Sequence, residues 1–146
     1  GVKRAHPMNH GGAKTFDFGR VKLVNAIHSS SFPDGAYAGN PCGFVVETRD
    51  GTFYYSGDTA LTMDMKIVGE MHRLDFAVLP IGDNFTMGAA DATRAAQWSG
   101  AKKVVGVHYD TFPPIRINKD EARATFSGLG LELLLPRIGE TIEIKP

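Results

Sequence analysis

The sequence predicts an α/β fold built on a mixed sheet, and three observations lead there. Short β-rich runs alternate with helical segments along the whole chain. One pair of runs is joined by a tight-turn signal at Asp50-Gly51, which marks an antiparallel hairpin. Other runs, Phe44-Val45-Val46 and Ala77-Val78-Leu79, are apolar at every position and so expect cover on both faces. The 146 residues contain no repeat, low-complexity tract or linker and read as a single domain.

Element by element, "KTFDFGRVKLVNAIHSS" alternates through Val21, Leu23 and Asn25 to Ile27, the pattern of paired strands with a loop at His28. "CGFVVETRDGTFYYSGD" is the hairpin. "ALTMDMKIVGEMHRL" places Leu61, Met65, Val68 and Met71 or His72 at helical spacing. "DFAVLPIG" is a buried strand in which Pro80 is expected to end the hydrogen-bonding run. "TMGAADATRAAQWSG" is an alanine-rich helix, with Thr86 as its expected N-cap, Ser99-Gly100 as its end and Trp98 in the core. "KKVVGVHYDTFPP" is a strand stopped by a loop with two prolines. Asn118 and Glu121 form a capping box for a helix carrying Ala122 and Phe126, and "LELLLPRIGETIEIKP" closes the chain with β segments.

Composition narrows the function classes. Sixteen basic and sixteen acidic residues cancel, and no basic run stands out, which argues against nucleic acid as a partner. No apolar run reaches the roughly twenty residues of a membrane span, and "GVKRAHPMNHGG" has no apolar signal-peptide core. Cys42 is the only cysteine and reads as a small hydrophobe, so nothing demands an oxidising compartment; a cytoplasmic setting is the default.

Three expected strands end in a possible metal ligand: His28 after Ile27, Asp58 after Ser56-Gly57, and His108 after Val107. Their spacing is too wide for a local motif, but strand tips of an α/β sheet gather along one edge, where such folds place their chemistry. Two imidazoles and a carboxylate suit Zn²⁺, with Mn²⁺ or Fe²⁺ as alternatives. Singly, each has a plainer reading. Asp58 beside Gly57 and Thr59 could cap a turn or helix, and either histidine could bond to backbone.

"NAIHSS", "YAGNPCGFVV", "FYYSGDTAL", "AVLPIGDNFTMG" and "GVHYDTFPPI" resemble, in order, consecutive blocks of the metallo-β-lactamase superfamily. Most closely they resemble its small bacterial metal-dependent hydrolases, similar to lactonase-like and phosphodiesterase-like members. The resemblance covers Pro7 to about Pro114. It implies part of an αββα sandwich of mixed sheets with flanking helices. It also implies His28, Asp58 and His108 as metal ligands for one or two Zn²⁺, with Asp58 bridging when two are bound and serving catalysis. The implied mechanism is attack of metal-activated water on a lactone, ester, amide or phosphodiester of a small-molecule substrate. Asn84 and Thr86 fall in a loop that the resemblance sets beside the metals, as possible substrate contacts. His10, in the turn "MNHGG", is a further substrate candidate, while Tyr109 and Thr111 are placed to orient His108. His72 beside Arg73 is expected to complement a helix dipole.

The family's upstream His-x-His-x-Asp-His cluster has no counterpart among the five histidines, at 6, 10, 28, 72 and 108. The chain therefore resembles the C-terminal portion of such a hydrolase. It is expected to need a complement: the N-terminal half of the same fold on another polypeptide, or a second copy in a homo-oligomer. The alternative from another class is a metal-free binding or assembly module that kept the fold without the chemistry.

Overall fold

The computed structural model describes residue 3 and residues 5–144. Seven strands form one sheet in sequential order: β1 (Ala13–Phe16), β2 (Gly19–Asn25), β3 (Cys42–Thr48), β4 (Gly51–Tyr55), β5 (Phe76–Pro80), β6 (Lys103–Val107) and β7 (Glu132–Leu134). Strands β1 to β4 pair antiparallel and β4 to β7 pair parallel, so the sheet is mixed as expected. The parallel part needs crossovers, which α1 (Asp64–Met71), α2 (Ala89–Ser99) and α3 (Lys119–Ser127) supply.

All three helices contribute to one core on one face of the sheet. Register places Val45, Tyr54, Ala77, Val104 and Leu133 in a row across five strands, all buried against Met65 and Val68 of α1, Ala92, Ala95 and Ala96 of α2, and Ala122 and Phe126 of α3. The neighbouring row, Phe44, Tyr55, Val78, Val105 and Leu134, points the other way. These residues are half-buried, except Tyr55, which is exposed. Phe53 and Phe76 stack on that second face with centroids 5.0 Å apart. The expectation that these strands want cover on two sides thus meets a sheet with helices on one.

Local differences from the expected elements have physical reasons. The hairpin turn is Arg49-Asp50, with Gly51 already paired to Thr48, because the Thr48 hydroxyl accepts from Asp50 N–H and donates to Gly51 O. Helix α1 starts only at Asp64, since Ala60 N–H bonds to Ile27 O at 3.0 Å and Thr59 is engaged with the same loop. Pro80 does not end the pairing. Ile81 N–H still bonds to Val107 O at 3.1 Å, and the donor Pro80 lacks lies on the β4 side, where pairing has finished at Tyr55.

Thr86 is not the cap of α2. Gly88 holds that position, because residues 83–87 close a turn in which Asp83 N–H bonds to Met87 O at 3.1 Å. Gly100 ends α2 in the left-handed conformation, as its sequence indicates. Trp98 is half-buried at the core's margin, with the cations of Lys66 and Arg94 each 6.0 Å from its ring. Asn118 caps α3 as expected, accepting from Asp120 N–H and Glu121 N–H. Of the C-terminal β expectation only β7 forms, three pairs long and followed by Pro136; residues 145–146 of that segment lie outside the described residues.

Candidate metal centre

Strand directions determine which loops can meet. Because β2 and β4 both run antiparallel to β3, they run the same way as each other and as β5 and β6. The C-terminal ends of β2, β4, β5 and β6 therefore share one sheet edge. His28 follows β2, Asp58 follows β4, Asn84 and Thr86 follow β5, and His108 follows β6 directly. All the residues singled out at strand tips stand on this edge.

Two glycines let the edge close up. Gly57 has φ 66°, and a Cβ there would sit 2.5 Å from Cys42 O, so only glycine makes the bend that delivers Asp58. A Cβ on Gly82 would sit 2.1 Å from His108 O; without it, the loop after β5 presses directly against the histidine's backbone. His108 itself holds φ 55°, an uncommon conformation for a residue with a side chain.

His108 Nε2 lies 3.6 Å from Asp58 Oδ2. That is too long for a hydrogen bond. It is close to the spacing of about 3.3 Å that two ligand atoms adopt on one tetrahedral cation with bonds near 2 Å. His108 Nδ1 is buried without a hydrogen-bond partner among the described residues. Tyr109 packs against the core with Lys119 Nζ 5.5 Å from its ring, and Thr111 is exposed.

His28 is tied to the same edge through backbone. Ile27 N–H donates to Thr59 Oγ1 at 2.9 Å, and Ala60 N–H to Ile27 O at 3.0 Å, so its loop is strapped to the loop carrying Asp58. His28 Nδ1 lies 3.0 Å from Ser29 O. A carbonyl can only accept, so Nδ1 is the donor in this contact, and in the neutral ring that makes Nε2 the lone-pair atom that can bind a metal. Among the described residues, however, no three His, Cys, Asp or Glu side chains are gathered as a metal-holding group. What the residues present fit is part of a cation site: a carboxylate and an imidazole at ligand spacing, with a second imidazole in a neighbouring loop.

Thr59, fully buried, is a site residue not singled out from the sequence: it straps two site loops together, accepting from Ile27 N–H and donating its own hydroxyl to Ala60 O at 2.8 Å. Its place in "GDT" after a β run was the available signal. His10 Nε2 bonds to Pro41 O at 2.9 Å, just before β3 begins, which sets it at the same edge. Asn84 is exposed at φ 55°, and its N–H is taken by Asp83 Oδ1; the Thr86 hydroxyl points to Met87 O at 3.5 Å. His72 does not serve the α1 dipole: its Nδ1 lies 3.0 Å from Glu47 Oε1 on β3, and Arg20 bonds the other oxygen of that carboxylate. Burial raises the Glu47 carboxyl, but the bonds from His72 and Arg20 outweigh it and hold the group below its usual range.

A mixed sheet with helices on one face, and with His and Asp at the C-terminal strand edge, is the arrangement that the metallo-β-lactamase resemblance leads us to expect. The model of the beta-lactamase superfamily domain matches residues 1–109, and the chain belongs to that superfamily. A protein named UPF0173 metal-dependent hydrolase from Christiangramia forsetii is 56% identical over 139 residues, covering 95% of this chain and 62% of the relative. One of the same name from Bacillus subtilis is 46% identical, covering 95% of this chain and 63% of the relative. Igni18, described as a novel metallo hydrolase from Ignicoccus hospitalis, superposes with TM-score 0.80 at 31% identity, over 92% of this chain and 58% of that one. The chain thus spans less than two thirds of the curated relatives it matches.

Proposed function

We propose that this chain supplies His28, Asp58 and His108 to the centre of a metal-dependent hydrolase, completed by a further segment of the same fold. The observation that carries the reading is the 3.6 Å approach of His108 Nε2 to Asp58 Oδ2 on the edge that also bears the His28 loop. The names of the relatives support it. Zn²⁺ matches the donor set best, with one or two ions. When bound, such cations lower the pKa of water toward neutrality and stabilise the oxyanion that forms as water attacks. The chain's own part is to hold the donors. Asp58 presents carboxylate oxygens from the Gly57 bend, His108 presents Nε2 from its strained position, and His28 keeps its proton on Nδ1.

The completing segment has two tasks in this reading: to add ligands, since the described residues gather no set of three, and to cover the apolar sheet face. The matched region covers 62% of the Christiangramia forsetii relative, which leaves length for such a segment. A second copy of this chain could cover the face but adds only the same donors. The lack of a gathered three-ligand group is also what favours the second reading, a metal-free module. Metal analysis after metal-replete purification, on the complete protein, decides: one or two Zn per molecule supports the hydrolase, and substantially less than one supports the module.

A further inference from the structure

The loop that carries His28 is fastened at its two ends and nowhere between. None of residues 27–41 is buried, so apolar packing does not anchor it. Among the described residues, every hydrogen bond found for residues 28–40 stays within that stretch, as between Phe32 and Ala36 or Tyr37 and Asn40. At the far end Pro41 O accepts from His10 Nε2 at 2.9 Å, just before β3 begins.

At the near end the fastening is Ile27, the residue before His28. Its N–H donates to Thr59 Oγ1 at 2.9 Å, and its carbonyl accepts from Ala60 N–H at 3.0 Å. Thr59 and Ala60 are the two residues that follow Asp58. The backbone just ahead of one expected ligand is thus pinned to the chain just behind another. Only one of the two pins is a side chain. Thr59 is fully buried, and its hydroxyl is used in both roles, since it also donates to Ala60 O at 2.8 Å. The β-branch restricts the rotation that would carry that oxygen away. The Thr59 carbonyl accepts from Met87 N–H at 3.1 Å, a link to the loop after β5 that survives a change of side chain.

We infer that Thr59 is a positioning residue of the metal centre: its hydroxyl sets the His28 loop against Asp58, and it acts on the centre through His28. The inference goes beyond the hydrolase reading above and rests on it in taking His28 and Asp58 as ligands. The bond to Ile27 is made wholly of chain atoms and needs no cation to form. Without the hydroxyl, the Ala60 bond is the single pin left at that end of the loop.

The test uses the complete protein, with Zn²⁺ affinity read by chelator competition. Thr59→Val keeps the shape without the oxygen, and Thr59→Ser keeps the oxygen. T59V weakens Zn²⁺ binding about 10- to 100-fold, the range for losing a group that orients a ligand, and T59S stays within about threefold of the parent. In a His28→Ala background T59V adds less than about twofold, because the residue it acts through is gone. A merely structural role would weaken binding by the same factor with and without His28. That equal factor, or a T59V protein that binds Zn²⁺ as the parent does, overturns the inference. Should T59V not fold, amide exchange in the parent decides: the Ile27 amide exchanges slowly with and without Zn²⁺, and protection that arises only with Zn²⁺ overturns the inference. A parent that binds substantially less than one Zn²⁺ overturns the hydrolase reading and the inference with it, whereas the other failures leave that reading standing.

Discussion

Val45, Tyr54, Ala77, Leu79 and Val104 point to the helices and are at most 1% exposed, while Phe44, Val46, Phe53, Phe76 and Val78 point away and stay partly open. The second set is as apolar as the first and bulkier. Alternation of polar and apolar residues would have announced a solvated face; its absence announces a face meant for cover. The difference between the two faces is therefore one of neighbours, not of composition. It shows that burial belongs to the assembled fold and that the strand's own sequence states only a requirement.

Adjacent residues of β5 test this most sharply. Leu79→Ala should cost about 2–5 kcal/mol, since it opens a cavity in the helix-covered core. Val78→Thr, one residue earlier on the opposite face, should cost about 0.5 kcal/mol or less in the chain alone. Urea unfolding measures both, and equal losses would show that the second face is already covered. Replacing Phe53 and Phe76 by serine should then raise the concentration at which the chain self-associates, read by light scattering.

Smaller effects separate helix caps and ion pairs from the core. Asn118→Ala removes the acceptor for two N–H groups of α3 and should cost about 1 kcal/mol on the thermal or urea scale. The Glu47 carboxyl titrates below its ordinary value when folded, so its contribution is complete above that value and is lost as pH falls through the folded one. Glu47→Gln should accordingly flatten the acid limb of the stability profile below about pH 5, by less than about 1 kcal/mol after solvent screening. At neutral pH the variant and the parent differ by the full amount of that contribution, and in strong acid they converge.

The smallest expected change in stability carries the largest expected change in function. The Asp58 side chain is 47% exposed, and its recorded partner is His108 at 3.6 Å, so Asp58→Ala should leave the apoprotein within about 0.5 kcal/mol of the parent. In the complete protein it should remove metal and lower hydrolysis by about 100-fold or more. A large loss of apoprotein stability with unchanged metal content would restore the plainer view of Asp58 as a turn cap.

The sequence by itself determined the element order, and with it the mixed sheet that strands alternating with helices and one hairpin imply. It determined the left-handed stop at Gly100 and the cap at Asn118, which follow from contacts within a few residues. It also marked His28, Asp58 and His108, since polar residues at the tips of apolar strands stand out against their neighbours. Other features were not legible. That Pro80 keeps its pairing depends on β4 ending beside it, and that Gly88 rather than Thr86 starts α2 depends on a turn closed through Met87. His72 reaches Glu47, and Thr59 reaches Ile27, across 25 and 32 residues. Only the tertiary structure decided these, because a hydrogen bond between distant segments exists only after the sheet has brought their backbones within three ångströms or so.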